Sequence, residues 1–251
     1  MCTILLAWRC VDGADFVLAA NRDELIDRPA TPPQLLSGDP PIAGGRDLLA
    51  GGTWLAVDAQ GRVAAVTNRR LPGATEVIRD PSRRSRGEIP VLALTAAGER
   101  GVREFMASLG PARYNPVNVL FVSRTAAIAA AVDDTGPPRV TTLEAGLHVL
   151  TVGDIDDPRR PKDAALLAQL RQALAESSGA ADLELRLRTV LAGRDSPTSD
   201  PLDAPCIVGD VYGTVSSSSV ITSAAGPVYR HAAGRPDVAP FELVTVLPAP
   251  C

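Results

Sequence analysis

The chain reads as an α+β protein in which two antiparallel sheets are stacked between two helical layers. Three observations predict this class. Strand-like and helix-like segments come in blocks, in the order strands, two helices, strands, two helices, strands, and not in the strict alternation of βαβ units. The first strand-like run, Thr3-Ile4-Leu5-Leu6-Ala7-Trp8, is largely apolar on both faces, as suits a strand covered on both sides. No internal repeat and no linker-like change of composition interrupts the 251 residues, so one domain over 1–251 is expected.

Taken in order, residues 3–8 and 16–20 form two strands around the turn signal Asp12-Gly13. Residues 28–47 hold Arg28-Pro29, Pro32-Pro33, Pro40-Pro41 and Gly44-Gly45, and read as a long surface connection with little regular structure. The clearest hairpin follows: a strand led by Gly51-Gly52-Thr53-Trp54-Leu55, a turn at Asp58-Ala59-Gln60-Gly61, and a strand ending in Thr67-Asn68. Residues 69–86 carry six arginines offset by Glu76, Asp80 and nearby Glu88, which favours a solvated loop over an anion-binding one.

Two short helices are expected over 89–97 and 99–109, the second stopped by Gly110-Pro111. Strands then fall at 116–122, 126–132, 139–143 and 146–151. Leu166, Leu167, Leu170, Ala173 and Leu174 give the most regular helical stripe in the chain. Residues 182–191 fit a strand or a helix by period, and their helix formers favour the helix. A Pro-rich loop over 193–205 precedes strands at 212–215, 218–223, 227–231 and 242–247, with Ser216 to Ser219 read as strand.

Composition excludes several classes. A net charge of −4 and few aromatics argue against a nucleic-acid binder. No apolar run reaches the roughly 18 residues of a membrane span, and the start lacks the pattern of a secretory signal. Cysteines at 2, 10, 206 and 251 fit neither a disulfide framework nor a zinc site, and two histidines are too scattered for a metal. The expectation is a cytoplasmic protein that takes a small molecule and needs no cofactor or metal.

Chemistry concentrates at the start. If the first two strands pair as a hairpin, Asn21, Arg22 and Asp23 come beside Cys2. Removal of Met1 would leave a chain end carrying both a thiol and an α-amine. That amine titrates near 7.7–8.0 and can serve as base for its own thiol. A neighbouring Arg22 would favour the thiolate. The bland alternative is a cysteine that merely opens a buried strand.

Four motifs carry a family resemblance: Met1-Cys2, Ala19-Ala20-Asn21-Arg22-Asp23-Glu24, Gly51-Gly52-Thr53-Trp54-Leu55 and Ala65-Val66-Thr67-Asn68. In their order and spacing the chain resembles the NRDE family (transport and Golgi organisation protein two-like). Arg86-Gly87-Glu88, Asn118 and Tyr212-Gly213-Thr214 extend the likeness. That family looks like a branch of the N-terminal nucleophile hydrolases, which implies the four-layer αββα sandwich. Its N-terminus is similar to cysteine-type amidases that cleave linear amides.

Carried over, the resemblance implies Cys2 as nucleophile, Arg22 on the thiolate or substrate, Asp23 on the α-amine and Asn68 as oxyanion donor. Asn21, Trp54, Thr67 and Asn118 would line the substrate. The chain departs from the family at Val152-Gly153, where a Ser-Asn pair is usual, and at Val215, where Arg is usual. The function implied is an N-terminal-cysteine amidohydrolase working through an acyl-Cys2 intermediate. The alternative is a non-catalytic binding or trafficking protein for haem or a lipid-like molecule.

Overall fold

The structure is a computed structural model that describes residues 2–71 and 73–248. In chain order the strands are β1 (Thr3–Val11), β2 (Ala14–Leu25), β3 (Ala30–Gly38), β4 (Pro41–Asp47), β5 (Leu55–Asp58), β6 (Val63–Asn68), β7 (Val117–Val122), β8 (Ala127–Val132), β9 (Arg139–Thr142), β10 (Gly146–Leu150), β11 (Tyr212–Ser223), β12 (Gly226–Ala232) and β13 (Glu242–Leu243). The helices are α1 (Ile89–Thr95), α2 (Gly98–Ala107), α3 (Pro161–Glu176) and α4 (Ala180–Ala192). Two compact units share them. The first comprises Met1–Arg28, Ala145–Thr151 and Ile155–Thr245; the second comprises Pro29–Glu144, Val152–Asp154 and Val246–Cys251. No helix among the described residues is long and apolar enough to cross a membrane.

The first unit is a six-stranded antiparallel sheet in the order β10-β1-β2-β11-β12-β13. β1 and β2 form the expected hairpin, with Thr3 opposite Asn21 and Leu5 opposite Ala19. Directly paired residues share a face, and alternate residues take opposite faces. One face, carrying Leu5, Ala7, Val17 and Ala19, packs on Leu166 and Leu170 of α3 and on Leu183, Leu187 and Leu191 of α4. The ambiguous 182–191 segment is therefore a helix, because its Leu183, Leu187 and Leu191 stripe has a sheet to cover.

The second unit is a seven-stranded sheet in the order β3-β4-β5-β6-β7-β8-β9. Ala56, Ala64, Val66, Val117 and Val119 form its helix-side core with Ile89, Ala93 and Leu94 of α1 and Val102 and Met106 of α2. Here the expectation of an irregular 28–47 connection is corrected: the segment is the β3–β4 hairpin. The prolines are tolerated because β3 is the edge strand, and its pairing with β4 shifts register between Ala30 and Pro33. Its glycines serve close approach. A Cβ on Gly44 would meet the Leu55 carbonyl oxygen at 2.6 Å, and one on Gly45 would meet the Thr31 carbonyl oxygen at 2.8 Å. At the other end of the chain, the strand expected over 242–247 shrinks to Glu242–Leu243.

The Gly51-Gly52-Thr53 and Arg86-Gly87-Glu88 motifs meet in this unit. Thr53 N–H donates to the Gly87 carbonyl at 2.8 Å. Gly52 has φ +75°, and a Cβ there would lie 2.3 Å from both the carbonyl carbon and oxygen of Gly87. Gly51 also has positive φ (+70°), but its Cβ would meet nothing within 4 Å. Gly52→Ala is accordingly expected to cost about 2–5 kcal/mol, left-handed strain plus overpacking. Gly51→Ala should cost only the strain, about 1–2 kcal/mol. Equal urea midpoints for the two variants would show that the Gly52–Gly87 contact does not matter.

Arg69 is buried in the second unit, whereas Arg79 and Arg84 of the same stretch are exposed. Arg83 pairs with Asp80 and Asp134, and Arg84 with Glu88. Arg86 donates to the Pro116 carbonyl at 3.0 Å. The exposure of Arg79 and Arg84 and the pairing of Arg83 and Arg84 with acidic neighbours agree with the solvated-loop reading of that stretch.

Candidate nucleophile site

Cys2 lies just before β1, buried at 8 % exposure. Continuing the Thr3–Asn21 register by one residue sets it opposite Arg22, so Cys2 and Arg22 share the face that turns away from α3 and α4. Asn21 and Asp23 take the helix-side face. The hairpin thus brings all four together, but on two sides of one sheet.

Asn21 is fully buried and donates both amide hydrogens, to the carbonyls of Leu191 and Pro205, each at 2.9 Å. It closes the end of α4 and anchors the chain that follows. These two bonds give Asn21 a structural task.

Asp23 is 1 % exposed. Its carboxylate accepts from the Thr214 hydroxyl at 2.6 Å, and its carbonyl accepts from the Tyr212 hydroxyl at 2.9 Å. Thr214 is locked in turn, since Ile207 N–H donates to its hydroxyl and its own N–H donates to the Ile207 carbonyl, both at 2.9 Å. A Cβ on Gly213 would strike that carbonyl oxygen at 2.9 Å. The Tyr212-Gly213-Thr214 motif is therefore a bracket for Asp23. Val215 sits where the register of β11 on β2 shifts, between Thr214 opposite Asp23 and Ser216 opposite Arg22. Such a bulge re-aims neighbouring side chains.

Electrostatics on the thiol are divided. Burial pushes the Cys2 pKa up and the Asp23 charge adds to this, while a hydrogen bond from the Asp23 backbone N–H and the Arg22 charge pull it down. Burial likewise pushes Asp23 up, and the foremost opposing influence is the charge of Lys162. Lys162, in the first turn of α3, is 3 % exposed and donates to the carbonyls of Ala204 at 2.9 Å and Leu202 at 3.3 Å. Motif reasoning missed it. One signal was available: it is the only lysine among 25 basic residues, the other 24 being arginine.

The remaining expected site residues belong to the second unit. Thr67 and Asn118 face each other across β6 and β7. The Asn118 amide donates to the Thr67 hydroxyl at 3.2 Å and to the Gly153 carbonyl at 2.8 Å, and its oxygen accepts from Arg69 at 3.0 Å. Arg69, 2 % exposed, also pairs with Asp133 and Asp154. Arg139 completes the set against the same two carboxylates. Burial alone would raise Asp133, but hydrogen bonds from Arg69 and Arg139 hold it below the usual carboxylate range. Asn68 ends β6 opposite Val117, on the helix-side face, and Trp54 packs against the helix-side core.

Among the described residues no three His, Cys, Asp or Glu side chains gather in a way that could hold a metal ion. Cys2, Cys10 and Cys206 are free thiols. Met1 and Cys251 lie outside the described residues.

Comparison with solved structures shows the fold. The chain superposes on the mutant C2A conjugated bile acid hydrolase from Clostridium perfringens with a TM-score of 0.51 and 11% identity, covering 98% of this chain and 97% of that one. It superposes on the Caenorhabditis elegans N-acylethanolamine-hydrolyzing acid amidase ortholog with a TM-score of 0.56 and 13% identity, covering 87% and 92%. The fold is that of the N-terminal nucleophile hydrolases, as the family resemblance implies, and the order of elements agrees with its stacked antiparallel sheets. By sequence, the chain is 25% identical over 237 residues to the Transport and Golgi organization 2 homolog of Mus musculus, covering 84% of this chain and 83% of that protein. The model of the Transport and Golgi organisation 2 family matches residues 1–229, and the chain belongs to that family.

Proposed function

We propose that this chain is an N-terminal-cysteine amidohydrolase that cleaves a linear C–N amide bond of a small molecule. The observation that carries the reading is the placement of the Cys2 thiol. It lies at the head of a strand, with the Arg22 charge and the Asp23 N–H both acting on its sulfur. Both solved relatives of the fold are described as hydrolases, one of conjugated bile acids and one of N-acylethanolamines. The first was solved with its second residue changed from Cys to Ala.

Net burial keeps the Cys2 thiol protonated. A base must therefore take its proton as it attacks. In a chain without Met1 the α-amine of Cys2 is that base. Sulfur bonds to the amide carbon, the C–N bond breaks, and the amine product leaves with the proton held by the α-ammonium. Water, deprotonated by the same amine, then attacks the thioester. The carboxylic acid departs and the thiol is restored. Arg22, on the face of Cys2, stabilises developing negative charge on sulfur or substrate.

Intact-mass spectrometry before and after brief exposure to a mild alkylator near pH 7 tests the reading. The expected result is a chain one methionine lighter, with the first label on Cys2 ahead of Cys10 and Cys206. A retained Met1, or labelling of Cys2 no faster than the other thiols, would overturn it.

A further inference from the structure

A polar row crosses the first sheet on its helix-side face. Thr3 stands opposite Asn21, and Asn21 opposite Ser217. Continuing the Ile4–Leu150 register by one residue sets Thr151 on the other side of Thr3. All four side chains are buried. Their next neighbours along the same face, Leu5, Ala19 and Val149, belong to the apolar core, so the row is a polar step in an oily layer.

Most of its hydrogen-bonding groups are answered within the chain. The Ser217 hydroxyl donates to the Ala20 carbonyl at 3.1 Å. The Thr151 hydroxyl donates to Asp163 Oδ1, in the first turn of α3, at 2.6 Å. Both amide hydrogens of Asn21 are taken by carbonyls, which fixes its Oδ1 as the remaining acceptor. Three atoms are left. Among the described residues Thr3 Oγ1, Asn21 Oδ1 and Asp163 Oδ2 are buried without a hydrogen-bond partner. Arg160 Nε stands 3.8 Å from Asp163 Oδ2, too far for a hydrogen bond. Buried polar atoms are rarely left unmatched, and each one left dry costs about 1–3 kcal/mol.

The three are neighbours with complementary needs. Cβ atoms of directly opposed residues lie about 4.5–5.5 Å apart, a gap one water can span. Asp163 is held against Thr151, the next member of the row. Asn21 Oδ1 and ionised Asp163 Oδ2 only accept, so they cannot satisfy one another, whereas the Thr3 hydroxyl can donate. A water that accepts from Thr3 and donates to Asn21 and Asp163 makes the three bonds usual for a buried water.

We propose that Thr3 Oγ1, Asn21 Oδ1 and Asp163 Oδ2 form an internal water site that ties the starts of β1 and α3 to β2. Thr3 follows Cys2 and Asn21 precedes Arg22, so the site lies under the candidate nucleophile hairpin on its opposite face. The inference does not depend on the hydrolase reading, since no substrate enters it or its test.

The test joins a crystal structure of the wild type, at a resolution that shows ordered water, with urea unfolding of Thr3→Val and Thr3→Ser. Both are done at pH 8, above the value of about 6 to which burial pushes Asp163. The expected density is a water within hydrogen-bond distance of both Thr3 Oγ1 and Asn21 Oδ1. Thr3→Val keeps the shape but removes the hydroxyl, and should weaken the folding equilibrium at least about fivefold, because the water loses its donor. Thr3→Ser keeps the hydroxyl and should lose less than Thr3→Val. A dry site in the wild type overturns the proposal. So does a Thr3→Val variant as stable as the wild type or more so, the result expected when a dry, unmatched hydroxyl is deleted. If Thr3→Val does not fold, the wild-type density decides.

Discussion

Cys2→Ala is expected to lower turnover of an amide substrate by at least about 10³-fold, because removal of a covalent nucleophile leaves no alternative route to the acyl intermediate. The assay begins with a panel of N-acyl amines screened against the wild type, and the variant is then measured on whichever compound turns over. The side chain is small and makes way for a methyl group in a nearly buried site, so the fold should survive. Cys206→Ala is the matched control. Cys206 is also buried, its thiol pushed up to about 11 by burial and Asp237, and it has no place in the proposed reaction. Turnover by Cys2→Ala close to that of Cys206→Ala would end the covalent mechanism.

A large effect on stability is expected at Arg69. Arg69→Met removes the buried guanidinium that joins Asp133, Asp154 and Asn118, leaving the buried Asn118 oxygen without this donor while the two carboxylates keep Arg139. Leaving such a buried polar group unsatisfied costs about 1–3 kcal/mol. Arg139 pairs with the same two carboxylates, but its side chain is 53 % exposed. Arg139→Met should therefore cost no more than about 1 kcal/mol. Urea midpoints of the two variants measure the contrast. Similar losses would mean that burial does not set the worth of these pairs.

Much of the fold was legible because its signals are local. The β1–β2 hairpin follows from two apolar runs around Asp12-Gly13, and α3 from its leucine stripe. The β3–β4 hairpin was not legible, because prolines and glycines there answer to an edge position and to close backbone approach, neither of which has a local period. The site divides the same way. Proximity of Asn21, Arg22 and Asp23 to Cys2 could be read from the hairpin, but the face each takes depends on register. The tasks of Asn21 and Asn118 depend on carbonyls up to 184 residues away in sequence. Lys162 was hidden because the carbonyls it donates to, those of Leu202 and Ala204, lie 40 and 42 residues away along the chain. Its rarity was the one clue in the sequence.

The order of strands in the first unit also sets a clock. β2, which carries Asn21, Arg22 and Asp23, is flanked on one side by β1 and on the other by β11, whose Thr214, Ser216 and Ser217 stand opposite those three residues. The chain must grow by nearly 190 residues after Asp23 before that neighbour exists, which at ribosomal rates takes roughly 10–40 s. Until then Asp23 has neither the Thr214 hydroxyl nor the turn that holds Lys162. A thiol that leaves the ribosome early is thus separated in time from the β11 contacts that hold Asp23, which form only when synthesis is almost done.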